Sequence, residues 1–353
     1  MKKSFFLNNI LIVAFLMLLA GCNEKREYVQ ISYQNPVIRQ NCPDPTVIDD
    51  RERTGYFYAY STQHGRNDAE GTIYLPVYRS RDMVEWEFAG DGFGPGRPQW
   101  SPGASIWAPD INYFDGHYVL YYAQGVWGDP VNSASGVAVS DSPVGPFEDK
   151  GMIVDWESTG VGNSIDPVFF DDGDARYLFW GSLGSTSGVW GVQLSDDGLK
   201  VREGCRPVKL VNNKSEGTYV KKRNGSYYLF ASKGSCCKKE ESTYRIIVGR
   251  SDNPLGPYLD PQGNDMINDD YEYVILSGTE DRIFAGPGHD AQIITDDAGD
   301  DWMCYHVYWS GNEYKGRCMA MDRIVWSEDG WPSFKCGSTP SGDITEGPRW
   351  FKE

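Results

Sequence analysis

Apolar and aromatic residues fall in short runs along this chain, and a 3.6-residue period is nearly absent. Five runs share a type: GYFYAYST (55–62), GHYVLYYAQG (116–125), ARYLFWGS (175–182), GSYYLFAS (225–232) and DWMCYHVYWS (301–310). Tyr, Phe, Val and Leu at this density, bounded by Gly, Asp and Ser, predict strands. A polar closing follows each run. The two clearest, SDSPVGPFED (140–149) and SDNPLGPYLD (251–260), share Ser-Asp-x-Pro-x-Gly-Pro-aromatic-x-Asp. Weaker versions stand at RSRDMVEWEF (79–88), LSDDGLK (194–200) and WSEDGWPSF (326–334).

Five similarly punctuated units of about 45–60 residues, each with several short strands, predict an all-β fold, a five-bladed β-propeller. A large jelly roll would not produce five such units. In a propeller the first strand of each blade lines the central channel, so residues at the starts of those strands converge from different repeats. Asp44, Asp110, Asp166 and Glu216 each precede a strand pair in a different repeat and are expected around one cavity. Asp44 lies between Pro43 and Pro45, and a following proline predicts an extended backbone for it.

The N-terminus stands apart from this pattern. MKKSFFLNNILIVAFLMLLAGC has two lysines, a short apolar core and a small-residue site, which predicts a secretory signal over residues 1–21. LLAGC resembles a bacterial lipobox, so Cys22 is expected to be the lipidated first residue of the mature chain. Residues 22–31 then read as a linker and 32–353 as the propeller domain. The lipid would be the only membrane attachment, placing the protein at the cell envelope, with the membrane face left open.

Composition narrows the partners. The formal charge is −17, and it becomes two units more negative once Lys2 and Lys3 leave with the signal. That sign repels nucleic acid phosphates. It suits a neutral polymer such as carbohydrate. Besides Cys22 there are seven cysteines, so at least one is unpaired, and sequence does not fix the connectivity of Cys236 and Cys237.

Several motifs occur in a set order: PDPTV, WAPDI, IDPVFFDDGDARYLFWGS, EGTYVKKRNGSYYLFAS and AGPGHDA. Together they resemble glycoside hydrolase family 43. Through GSCCKKEESTYRIIVGRSDNPLGPY the resemblance is nearest to its endo-α-1,5-L-arabinanases. It implies an inverting glycosidase, a monomer acting on arabinan or arabino-oligosaccharides. By motif, Asp44 would be the general base, Glu216 the general acid, and Asp166 the residue that orients and tunes that acid. Such chemistry needs one carboxyl ionised while another keeps its proton, and a nearby carboxylate and burial supply the difference.

Trp107 and Asp110 of WAPDI are the implied substrate contacts, although a blade tryptophan also suits a buried position. His289 of AGPGHDA is the implied partner of a channel metal, calcium, held mostly through water. A histidine hydrogen-bonded inside the channel is the alternative. The segments 126–136 and 264–283 are expected to build the cleft walls. Endo action needs a cleft open at both ends, whereas an exo-acting α-L-arabinofuranosidase or β-xylosidase needs a closed pocket. A non-catalytic glycan-binding propeller would be expected to lack at least one of the three carboxylates, and all are present.

Overall fold

The five aromatic runs become the second strands of five four-stranded antiparallel sheets in a computed structural model that describes residues 27–65, 71–100, 104–311 and 316–352. Blade I comprises Thr46–Asp50, Tyr56–Tyr60, Pro76–Ser80 and Trp86–Asp91. Blade II comprises Ser105–Phe114, His117–Gly125, Ala134–Ser140 and Glu148–Val154. Blade III is shorter, with Val168–Asp171, Arg176–Trp180, Trp190–Gln193 and Val208–Lys209. Blade IV comprises Ser215–Arg223, Ser226–Lys233, Arg245–Ser251 and Val274–Leu276, and blade V comprises Phe284–Thr295, Asp301–Trp309, Arg317–Trp326 and Pro332–Phe334. The fold is the expected five-bladed propeller. Each polar closing lies between the third and fourth strands of its blade, and Gly145 and Gly256 of the two best copies share a positive φ, 81° and 76°.

The second strands were visible because both of their faces are buried. Successive side chains of a strand point to opposite faces. In His117–Gly125, Tyr118, Leu120 and Tyr122 pack toward blade I, while Val119 and Tyr121 pack toward blade III. In Ser226–Lys233, Leu229 and Ala231 meet blade III and Tyr228 and Phe230 meet blade V. Apolar clusters fill all five gaps between neighbouring blades. Burying one such Leu or Phe contributes about 1.5–3 kcal/mol.

The axis is polar instead. Gln292 of blade V donates to Asp110 Oδ1 of blade II at 2.5 Å and accepts from Thr46 Oγ1 and Val47 N–H of blade I at 2.6 and 2.8 Å. Asp110 also accepts the Phe169 N–H of blade III at 2.8 Å. One buried network thus ties four first strands together.

The first and last described strands meet. Tyr28–Tyr33 pairs antiparallel with Thr345–Phe351, and Ile38 bridges to Met319 of blade V. Tyr28 is the first residue of the described strands. The signal segment and Cys22 lie outside the described residues. Among the described residues no helix is long and apolar enough to cross a membrane.

One backbone feature recurs in every blade. Asp44, Ala108, Asp166, Gly217 and His289 all have positive φ, between 43° and 57°. Asp44 and Asp166 sit just before a first strand and Ala108, Gly217 and His289 within one, and in blades II, IV and V the ladder shifts register across the kinked residue. Such bulges re-aim side chains. The extended conformation expected for Asp44 is therefore corrected: its φ is 52°. The left-handed turn is held by the Asp44 N–H donating to His306 Nδ1 at 3.3 Å.

Candidate active site

A cavity of about 600 Å³ opens over these five kinks. Every blade gives it one side chain from the kink: Asp44, Trp107, Asp166, Glu216 and His289. Blades I, III and V present the kinked residue itself. Blades II and IV have Ala108 and Gly217 at the kink and present the residue before it. Glycine suits position 217, since at its φ of 56° a Cβ would lie 3.0 Å from the His289 Cα and Nδ1 and crowd that residue.

Asp44 is almost fully buried, and each of its oxygens has a partner. Arg317 Nη1 lies 2.5 Å from Oδ1, with His306 Nδ1 at 3.2 Å and His289 Nδ1 at 3.4 Å. Thr62 donates to Oδ2 at 2.6 Å. Burial pushes this carboxyl up, but the Arg317 charge beside it outweighs burial and holds it well below the usual carboxylate range. Burial and then the nearby Arg317 push His306 down to about 3, so it serves Asp44 as a neutral ring.

Glu216 has the opposite environment. Burial raises its pKa above the ordinary value, and the charge of Asp44 adds to this. Ser182 Oγ donates to Oε2, and the Tyr244 hydroxyl donates to Oε1 at 2.9 Å; both temper the rise. Asp166 is held well above its ordinary value by burial, then by Glu216 and Asp44. It accepts the Gly217 N–H at 3.3 Å, immediately beside the Glu216 backbone. Asp166 and Glu216 interact and titrate as a pair. One carboxyl is thus kept ionised and two are kept protonated more easily than in water, which is the separation that acid–base chemistry needs.

Asp110 does not reach the cavity. It stands two residues past its kink, and its oxygens are taken by Gln292, Asn112 and the Phe169 N–H. Burial pushes it up to about 7, so its place is the inter-blade network. Trp107 lines the cavity and meets the indole of Trp127 edge-on at 6.5 Å. Trp127 is 80% exposed on the rim. Segment 126–136 does form wall, through Val126, Trp127, Pro130 and Ser133. Segment 264–283 does not line this cavity; the opposite contribution comes from Ser235–Lys238, because the second-to-third strand connection of blade IV reaches over the channel.

Sequence reasoning passed over Thr62, Ser182 and Tyr244, read His306 as structural and did not rely on Arg317. A signal existed for two of them: the aromatic runs YFYAYST and YLFWGS end in the hydroxyls that serve Asp44 and Glu216. Arg317 and His306 come from other strands of blade V and could be assigned only after the ring had closed.

Asp44, His289 and His306 bring ligand atoms within 4.8 Å of one another, a cluster able to coordinate a metal ion. Calcium takes about six to eight oxygen ligands. Two imidazoles and one oxygen already held by Arg317 do not fit that shell. An ion that kept most of its own waters would be needed.

Residues 33–332 match the family described as Glycosyl hydrolases family 43. The chain is 30% identical over 306 residues to an extracellular exo-α-(1→5)-L-arabinofuranosidase of Cellvibrio japonicus, covering 78% of this chain and 82% of that protein. It is 31% identical over 301 residues to an extracellular endo-α-(1→5)-L-arabinanase of Bacillus subtilis, covering 82% and 87%. A solved α-L-arabinanase of Cellvibrio cellulosa, complexed with arabinohexaose, superposes with a TM-score of 0.73 at 28% identity, covering 84% of this chain and 95% of that one. With all three carboxylates gathered over one channel of a five-bladed propeller, the chain belongs to glycosyl hydrolase family 43 and is built as a glycosidase.

Proposed function

We propose that this protein is an inverting glycosidase that cleaves α-1,5-linked L-arabinan within the polymer. The observation that carries the reading is the opposed pKa directions of Asp44 and Glu216 in one cavity. Asp44, ionised, takes a proton from the attacking water. Glu216, protonated, gives its proton to the leaving glycosidic oxygen. Asp166 supports Glu216 in its protonated form. Inversion requires the base and acid carboxyls to stand roughly 6.5–9.5 Å apart so that water fits between base and sugar.

Endo action is favoured by the shape beyond the cavity. A second groove of about 500 Å³ shares Leu183 with the first and runs past Lys214, Lys233 and Arg245. Such a continuation accommodates the rest of a polymer on one side, and the endo-acting relative extends the reading to a cleft open at both ends. The exo-acting relative keeps an α-L-arabinofuranosidase as the second reading. Calcium enters only as a water-shelled ion beside His289, and no step depends on it.

The extracellular relatives and the lipobox-like LLAGC support an envelope enzyme tethered at Cys22, acting as a monomer on arabinan with no nucleic acid partner. The deciding experiment is the product series from linear 1,5-α-L-arabinan, resolved by chain length over time. Mixed oligomers early would support endo action. Arabinose alone from the start would overturn it in favour of exo action.

A further inference from the structure

Cys236 and Cys237 are bonded to each other. The entropic stabilisation of a disulfide grows with the length of the loop it closes. A bond between sequence neighbours closes none, so this one contributes little to the stability of the fold. Among the described residues Cys42, Cys205, Cys304 and Cys336 form no disulfide. The single disulfide among the described residues is thus a local device, and its location says what for: both cysteines line the cavity that holds Asp44, Asp166 and Glu216.

The loop that carries the pair is braced on all sides. Ser242 Oγ donates to the Cys236 carbonyl at 2.9 Å and accepts the Lys238 N–H at 3.0 Å. The Thr243 N–H donates to the Ser235 carbonyl at 3.1 Å. Arg282 from the next connection holds the Ser242 carbonyl at 3.2 Å. Cys236 is half-buried and Cys237 exposed, and both border the open space of the cavity.

We propose that the Cys236–Cys237 disulfide is a substrate contact, a rigid apolar surface against which the carbon-bound face of a sugar ring packs beside Glu216. The inference rests on the glycosidase reading above. Bonded sulfurs are polarisable and apolar, and the short ring that they close has little rotamer freedom to lose when a sugar binds. Two separate thiols in the same loop would be mobile and better hydrated. The polar groups of a sugar then remain for Asp44, Asp166 and Glu216, and its apolar face is shared between Trp107 and the disulfide.

The test compares the oxidised enzyme, the same enzyme treated with a water-soluble phosphine, and Cys236→Ser combined with Cys237→Ser. The phosphine is oxidised to its oxide with the oxygen of water, and the two sulfurs take the two hydrogens. Steady-state kinetics on arabinohexaose should show KM raised about fivefold to tenfold in both altered forms with kcat within about twofold, the signature of lost uniform binding. Thermal melts should coincide within a few degrees, and arabinohexaose should slow reduction of the oxidised enzyme. An unchanged KM in both forms would overturn the proposal. So would a fall in kcat at constant KM with a moved pH profile, which would assign the loop to holding Tyr244 against Glu216. An oxidised enzyme that neither binds nor hydrolyses arabinohexaose would sink the arabinan reading, and this inference with it.

Discussion

Arg317 Nη1 rests 2.5 Å from Asp44 Oδ1, joining the third strand of blade V to the start of blade I. The pair is nearly buried, and it sets the protonation state of the proposed base. A carboxylate at this depth with no cation beside it would be forced to take up a proton.

Arg317→Met should therefore raise the pKa of Asp44. The base acts when ionised, so the low-pH limb of kcat/KM moves to higher pH. Asp44→Asn should lower turnover about 10²–10⁴-fold at every pH, as for loss of a general base. A low-pH limb that stays in place in Arg317→Met would exclude Arg317 as the controlling charge.

Glu216→Gln removes the proton donor and leaves the shape. Turnover of arabinan should fall about 10²–10⁴-fold. A nitrophenyl arabinofuranoside, whose leaving group departs without a proton, should lose far less. Equal losses on both substrates would remove Glu216 from the role of acid.

Asp166 and Tyr244 act on Glu216 differently. Burial, then Glu216 and Asp44, keep the proton on Asp166, so the equally uncharged Asp166→Asn should lower kcat through lost positioning and leave the high-pH limb near its wild-type place. Tyr244→Phe removes a donor that favours the ionised form, so that limb shifts up. A hydrogen bond to a charged group contributes about 1.5–3 kcal/mol, enough for a visible displacement. A high-pH limb that moves as far in Asp166→Asn as in Tyr244→Phe would refute the assignment.

Asp290 lies within the first strand of blade V, buried, and neither carboxylate oxygen has a hydrogen-bond partner. Burial holds its pKa well above the ordinary value. A group raised in the folded state contributes stability below its unfolded pKa and loses it as pH climbs through the folded one. Asp290→Asn removes that loss, so its melting temperature should exceed wild type at pH 8 by more than at pH 5. A constant difference between the two pH values would show that Asp290 does not titrate in the fold.

Much of this architecture could be read from residues alone, for a physical reason. Second strands such as His117–Gly125 are buried on both faces, so their composition announces them without any partner being known. Asp44, Asp166 and Glu216 were legible because strand starts converge in a propeller. Asp110 was misplaced because a two-residue offset along a strand separates the cavity from the inter-blade network, and only the backbone kinks reveal it. Arg317 and His306 stayed hidden because their relation to Asp44 spans 273 and 262 residues. The Ser235–Lys238 wall was missed because a connection's length in sequence does not say how far it leans over the axis.

The five left-handed kinks have a consequence for how such a ring can change its chemistry. Each blade faces the same choice: a functional side chain on the kink, or a small residue there with the functional side chain one step earlier. Asp, Asp and His take the first option, and Ala108 and Gly217 take the second for Trp107 and Glu216. Roles can then be reassigned one blade at a time, by exchanges at two adjacent positions, while the sheets and the five interfaces between them stay as they are.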